Sequence, residues 1–69
     1  MTLGQKIKNR REELGYTQAE LAKKTQTSQP YISRLEGDGF NPSTQMIVSI
    51  ALALGISMDY LFLEGRKAG

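Results

Sequence analysis

From Gln29 to Glu36 the side chains divide around a helical axis. At about 100° per residue, with Gln29 as origin, Gln29, Pro30, Ser33, Arg34 and Gly37 fall in one arc. Tyr31, Ile32, Leu35 and Glu36 occupy the remainder. The polar arc has a definite chemistry. A glutamine amide pairs a donor with an acceptor, as the edge of adenine requires, and an arginine fork matches guanine O6 and N7. A serine hydroxyl suits several bases or a phosphate oxygen. Pro30 offers either an apolar contact, such as one to a thymine methyl, or a rigid first helical turn. By itself the same arc reads equally well as an ordinary solvated helix face.

Little else in the composition competes as chemistry. The 69 residues contain no cysteine and no histidine, which removes disulfides, Cys/His zinc sites and the usual general base of hydrolases. No nucleophile–base pair or metal cluster is legible, so the chain is not expected to be an enzyme. The acidic side chains leave only metal-assisted hydrolysis open. No cofactor and no small-molecule ligand is implied. No apolar run approaches the roughly 20 residues of a membrane span, and the N-terminus lacks a secretory apolar region, so a soluble, cytoplasmic protein is expected. The formal charge is +2, unevenly spread: residues 1–34 carry seven cations against three anions, residues 35–69 two against four. The basic half should face a polyanion, with Lys6 and Lys24 contributing sequence-independent attraction.

Helical periodicity predicts the elements that position the polar arc. A first helix is expected from Leu3 to Leu14, with capping-box spacing at Thr2 and Gln5, a shared face of Leu3, Ile7 and Leu14, and Gly15 as its stop. Thr17 and Glu20 repeat the box before a second helix, Gln18 to Thr25, that turns Leu21 and Ala22 inward. Ser28 caps a third helix over Gln29–Glu36, ended by Gly37-Asp38-Gly39. Ser43 opens a fourth over Thr44–Leu54, with Ile47, Ile50, Ala51 and Leu54 inward and Gly55 beyond. Ser57 opens a short fifth, Met58–Leu63. The fold class is therefore all-α, a five-helix bundle in a single domain over residues 1–64, with residues 65–69 as a loose tail.

The second and third helices are joined by a turn too short for them to lie antiparallel. A steep crossing of about 90–120° is the helix-turn-helix, whose second helix can enter a DNA major groove. Ala22 supplies the small residue at the crossing, and Ile32 and Leu35 hold the third helix down. The segment Gln18-Ala19-Glu20-Leu21-Ala22-Lys23-Lys24 through Tyr31-Ile32-Ser33-Arg34-Leu35-Glu36 resembles the Xre-type helix-turn-helix family, which includes the N-terminal domains of lambdoid phage repressors and their Cro proteins. The similarity runs from Gly4-Gln5-Lys6-Ile7 through Asn41-Pro42-Ser43 to Ala53-Leu54-Gly55-Ile56-Ser57 and Asp59-Tyr60-Leu61-Phe62. Two departures are visible. The turn position that is commonly glycine in that family is Gln26 here, and the glycines after the third helix stand at 37 and 39 instead of singly between them.

The resemblance implies a sequence-specific regulator of double-stranded DNA, a repressor or autoregulator of prophage, restriction-modification or toxin-antitoxin type, acting by occupancy. An antitoxin-like module with secondary DNA binding is the alternative. By resemblance, Gln29, Pro30, Ser33 and Arg34 face bases, and Thr17, Gln18, Thr27, Ser28 and Asn41 face the phosphate backbone. Arg11, on the core face of the first helix, needs a carboxylate; Glu36 is the partner the resemblance implies, with a phosphate contact as a second role for Arg11. Apolar residues that the core does not use, Val48, Leu52, Met58 and Tyr60, are expected to form one patch through which two copies pair. A homodimer of this kind reads an inverted repeat.

Overall fold

Each helix begins where a side-chain oxygen can accept from the first turn. In the computed structural model, which describes the backbone of residues 1–66 and the side chains of residues 1–62, the helices are α1 Leu3–Glu13, α2 Gln18–Lys24, α3 Gln29–Glu36, α4 Thr44–Leu54 and α5 Met58–Arg66. No strand occurs among the described residues. Thr2 and Thr17 both close complete capping boxes, with Gln5 and Glu20 respectively. Ser28 and Ser43 accept from Tyr31 and Met46 amides, and Ser57 accepts from the Tyr60 amide at 3.1 Å. Such caps satisfy amides that no intrahelical carbonyl can reach.

The first four helices end by one shared device. A residue in the left-handed region reverses the chain, and the amide after it reaches the carbonyl five residues back: Tyr16 to Arg11, Thr27 to Ala22, Gly39 to Arg34 and Ile56 to Ala51. This is the Schellman arrangement, which favours glycine at the reversing residue. Gly15 and Gly55 hold that place at φ 78° and 67°, but Gln26 and Asp38 hold it at φ 57° and 59°. Both departures noted in the sequence thus fall on left-handed positions occupied by residues with a Cβ. Asp38 has a compensation: its carboxylate accepts from the Thr2 hydroxyl and from the Gly4 amide at 2.9 Å. Gln26 has none among the side-chain hydrogen bonds of the described residues.

The core joins Ile7 of α1, Leu21 and Ala22 of α2, Ile32 and Leu35 of α3, Ile47, Ile50, Ala51 and Leu54 of α4, and Leu61 of α5. The expected inward positions of α2, α3 and α4 are all buried. Gly4 lets α1 cross the end of α3 closely, since a Cβ there would lie 2.5 Å from the Glu36 carbonyl oxygen. Arg10 spans from α1 to the other end of the bundle, its Nε donating to the Leu54 carbonyl at 2.9 Å and so capping α4.

Three expectations are corrected. Leu14 does not share the buried face of Ile7; it follows the last residue of α1, where the chain already turns into Gly15, and is 38% exposed. The fifth helix continues to Arg66, not Leu63, because Gly65 ends a helix only when the chain reverses there. Of the loose tail expected over residues 65–69, Gly65 and Arg66 belong to α5, and residues 67–69 lie outside the described residues. Lys6, expected to attract phosphates, has no exposed surface: its Nζ donates to the Tyr60 and Leu61 carbonyls at 2.8 and 3.2 Å and lies 5.0 Å from the Tyr60 ring centre. It ties α1 to α5. The preceding turn places Lys6 beside Ile7 on the inward face, where a long stem can be buried if its ammonium finds carbonyls.

Candidate nucleic-acid interface

The helical wheel of α3 is realised in the fold. Ile32 and Leu35 are fully buried, Glu36 is buried and Tyr31 is half-buried, whereas Gln29, Pro30, Ser33, Arg34 and Gly37 are exposed. Pro30 occupies the first turn of α3, where its missing amide breaks no helical bond. Ser33 and Arg34 make no side-chain hydrogen bond within the described residues, so their donors and acceptors are available to a ligand. A half-buried Phe40 packs its ring edge-to-face on Tyr31, centroids 5.0 Å apart, and lies under the Arg34 guanidinium at 5.5 Å.

Behind this face runs a continuous polar chain. Arg11 Nε and Nη2 donate to the two oxygens of Glu36 at 2.7 and 3.1 Å, and Arg11 Nη1 donates to the Tyr16 carbonyl at 2.7 Å. The fork-on-fork geometry is the strong form of this pair. Its hydrogen bond to Glu36 holds the Arg11 guanidinium above its ordinary pKa, more than offsetting the opposite effect of burial. Glu36 Oε1 also accepts from Gln18 Nε2 at 3.1 Å, and Gln18 Oε1 accepts from Gln29 Nε2 at 2.7 Å. The ion pair expected from the resemblance is present. Its extension through Gln18 to Gln29 was not legible, since neither glutamine has a sequence signature for the other.

The residues expected to face phosphates divide by their availability. Ser28 and Asn41 are exposed, and Ser28 accepts from the Tyr31 amide while its hydroxyl hydrogen remains free to donate. Asn41 makes no side-chain hydrogen bond among the described residues. The Thr27 hydroxyl is turned into the α2–α3 turn, 3.0 Å from the Thr25 hydroxyl. The Thr17 amide donates to Glu20 Oε1 at 2.8 Å, which leaves the next amide, that of Gln18, at the open end of α2. Arg11 is buried with its fork on Glu36.

The four apolar residues expected in one patch are divided in the structure. Leu52, 78% exposed, shares a shallow groove with Lys24, Ser49 and Ala53, and Val48 borders Gln26 and Ser49. Tyr60, also exposed, lines a groove with Asn9, Arg10 and Ile56 on the side of α1. Met58 is half-buried against the core. Lys24 lies over the Tyr16 ring at 4.8 Å. Among the described residues no group of three or more acidic side chains is arranged to hold a metal, and no helix is long and apolar enough to cross a membrane.

Comparison with known proteins places this geometry. A family model described as helix-turn-helix matches residues 7–61. The immunity repressor protein of Bacillus phage phi105 is 43% identical over 64 residues, covering 93% of this chain and 44% of that protein. The crystal structure of the P22 c2 repressor in complex with a synthetic operator superposes with a TM-score of 0.84 at 33% identity, covering 88% of this chain and 92% of that one. SinR, the master regulator for biofilm formation, in complex with DNA, superposes at 0.81 with 36% identity, covering 87% and 97%. The chain spans about half the length of the curated relatives it matches. With a matched segment that takes in the whole α2–α3 unit and four-fifths of the sequence, the chain belongs to the Xre-type helix-turn-helix family.

Proposed function

We propose that this chain is the sequence-specific double-stranded DNA-binding part of a transcriptional repressor or autoregulator. The observation that carries the reading is the exposed face of α3, where Gln29, Ser33 and Arg34 stand clear of the core while Glu36 on the opposite side is locked to Arg11. Held in this way, α3 enters the major groove with Arg34 addressing guanine and Gln29 addressing adenine. Pro30 fixes the first turn of α3. Gln18, Ser28 and Asn41 take the flanking phosphates, with Thr17 and Thr27 shaping the two ends of α2 and Arg11 serving chiefly as a strut. The fork of Arg11 on Glu36 leaves at most a secondary phosphate contact. The likeness to a repressor and a master regulator, both solved on DNA, supports the DNA-binding reading. The protein acts by occupying its site, without catalysis, in the cytoplasm.

Two copies bind an inverted repeat with half-sites about 10 base pairs apart, one turn of DNA. Leu52 and Val48, the exposed apolar residues of α4, are the proposed pairing surface. Selection of bound sequences from random DNA tests the whole reading. The expected product is an inverted repeat, and Arg34→Ala and Gln29→Ala should each cost about 1–3 kcal/mol while relaxing preference at different base pairs. Unchanged discrimination in both variants would show that α3 is not the reader.

A further inference from the structure

Resting on that reading, we infer that Phe40, which lies outside α3, is a positioning residue that sets the specificity of Arg34. The Arg34 side chain is exposed and makes neither a hydrogen bond nor an ion pair with other described residues; its guanidinium lies over the Phe40 ring, 5.5 Å from Cζ to the ring centre. The ring is itself fixed, edge-on to Tyr31 with an interplanar angle of 62° and packed against the core. The loop carrying it is anchored to the same arginine, because the Gly39 amide donates to the Arg34 carbonyl at 2.9 Å. Asp38, one residue earlier, is bonded to Thr2 and Gly4 of the α1 start. Arginine, ring and loop form one unit.

A guanidinium held over an aromatic face by cation–π attraction spends none of its N–H donors there, so they remain available for a bidentate contact. The contact therefore restricts Arg34 before DNA arrives and removes part of the ordering cost of binding. It also opposes a swing toward a neighbouring phosphate, which any sequence would satisfy. Asn41 follows Phe40 directly, so a phosphate held by Asn41 fixes the register of the ring beneath Arg34. Specificity at one base pair then depends on a loop residue that need touch no base.

The test compares wild type, Phe40→Leu, Phe40→Tyr and Arg34→Ala on the selected operator and on operators changed one base pair at a time. Phe40→Leu should lose about three- to tenfold of the preference at the base pair that Arg34→Ala identifies, with the other positions and the salt dependence unchanged. Phe40→Tyr, which keeps the ring, should retain the preference, and Phe40→Leu should add no further loss in the Arg34→Ala background. The Arg34 Nε–Hε resonance of the free protein should carry a ring-current shift in wild type and Phe40→Tyr that disappears in Phe40→Leu. Equal weakening on every operator, tracking a lowered melting temperature, would assign Phe40 to stability alone and overturn the inference, as would wild-type discrimination in Phe40→Leu. A wild type without any sequence preference overturns the DNA reading itself, and the resonance arm, which needs no DNA, tells that failure apart from the absence of the ring contact.

Discussion

Gln29 at the start of α3 donates through Nε2 to Oε1 of Gln18 at the start of α2, at 2.7 Å. The bond leaves one amide hydrogen and the carbonyl of Gln29 for a ligand, and it orients the amide, since the oxygen and nitrogen of a glutamine are otherwise interchangeable by rotation. Gln18 is oriented in turn by Glu36. The side chain proposed to read adenine is thus held, through two hydrogen bonds, by the buried Arg11–Glu36 pair.

The coupling of the two glutamines is measurable as a double-mutant cycle on operator binding. Gln18→Ala and Gln29→Ala should be non-additive by about 1 kcal/mol, because the second substitution removes a partner already lost. Titrations of both single variants and the double variant check this. Additivity would mean that the bond does not persist on DNA.

Arg11→Met alone should destabilise the fold by about 3–5 kcal/mol, leaving the Glu36 carboxylate buried without its fork. Arg11→Met combined with Glu36→Leu should recover much of the loss, since replacing both partners removes the uncompensated charge. Urea melts of the four proteins give the comparison. Strictly additive losses would remove the pair from the account of stability.

The two left-handed residues should respond oppositely to glycine. Gln26→Gly relieves the Cβ at φ 57° and should stabilise by about 0.5–1 kcal/mol after the added freedom of the unfolded chain is subtracted. Asp38→Gly relieves a similar conformation but also removes the acceptor of the Thr2 hydroxyl and the Gly4 amide, for an expected net loss of about 1–2 kcal/mol. Thermal melts that shift the same way for both would contradict the role given to the Asp38 carboxylate.

Affinity for DNA should fall with salt, by a log-log slope of about −0.9 for each phosphate neutralised. Lys6→Met should leave that slope unchanged and instead lower stability by about 1–3 kcal/mol, because two carbonyls of α5 lose a charged donor. Binding isotherms between low and moderate salt, paired with melts, separate the two effects. A reduced slope in the variant would place the ammonium near phosphate after all.

Leu52→Lys should weaken operator binding and leave one protomer per operator at concentrations where the wild type places two, as a charge is brought into the proposed pairing surface. Sedimentation of free protein and of the complex reads the stoichiometry directly. An unaltered two-protomer complex of unaltered affinity would move the pairing surface elsewhere, with the groove beside Tyr60 as the next place to probe.

The sequence by itself determined most of what is local. Capping residues at Thr2, Thr17, Ser28 and Ser43, and the stops at Gly15 and Gly55, act within one turn of their own helix, so their consequences follow from spacing. The division of α3 into a core arc and a free arc follows from 3.6-residue periodicity in the same way. Tertiary structure alone decided the destinations of long polar side chains. Lys6 reads as a surface cation until α5 offers it two carbonyls, and no local signal ties Arg10 to the Leu54 carbonyl 2.9 Å away. The Gln18–Gln29 bond and the contact of Arg34 with the Phe40 ring likewise join residues whose meeting depends on how helices cross and where a loop lies. Flexible stems of four or more bonds can reach many partners, and only the assembled bundle selects one.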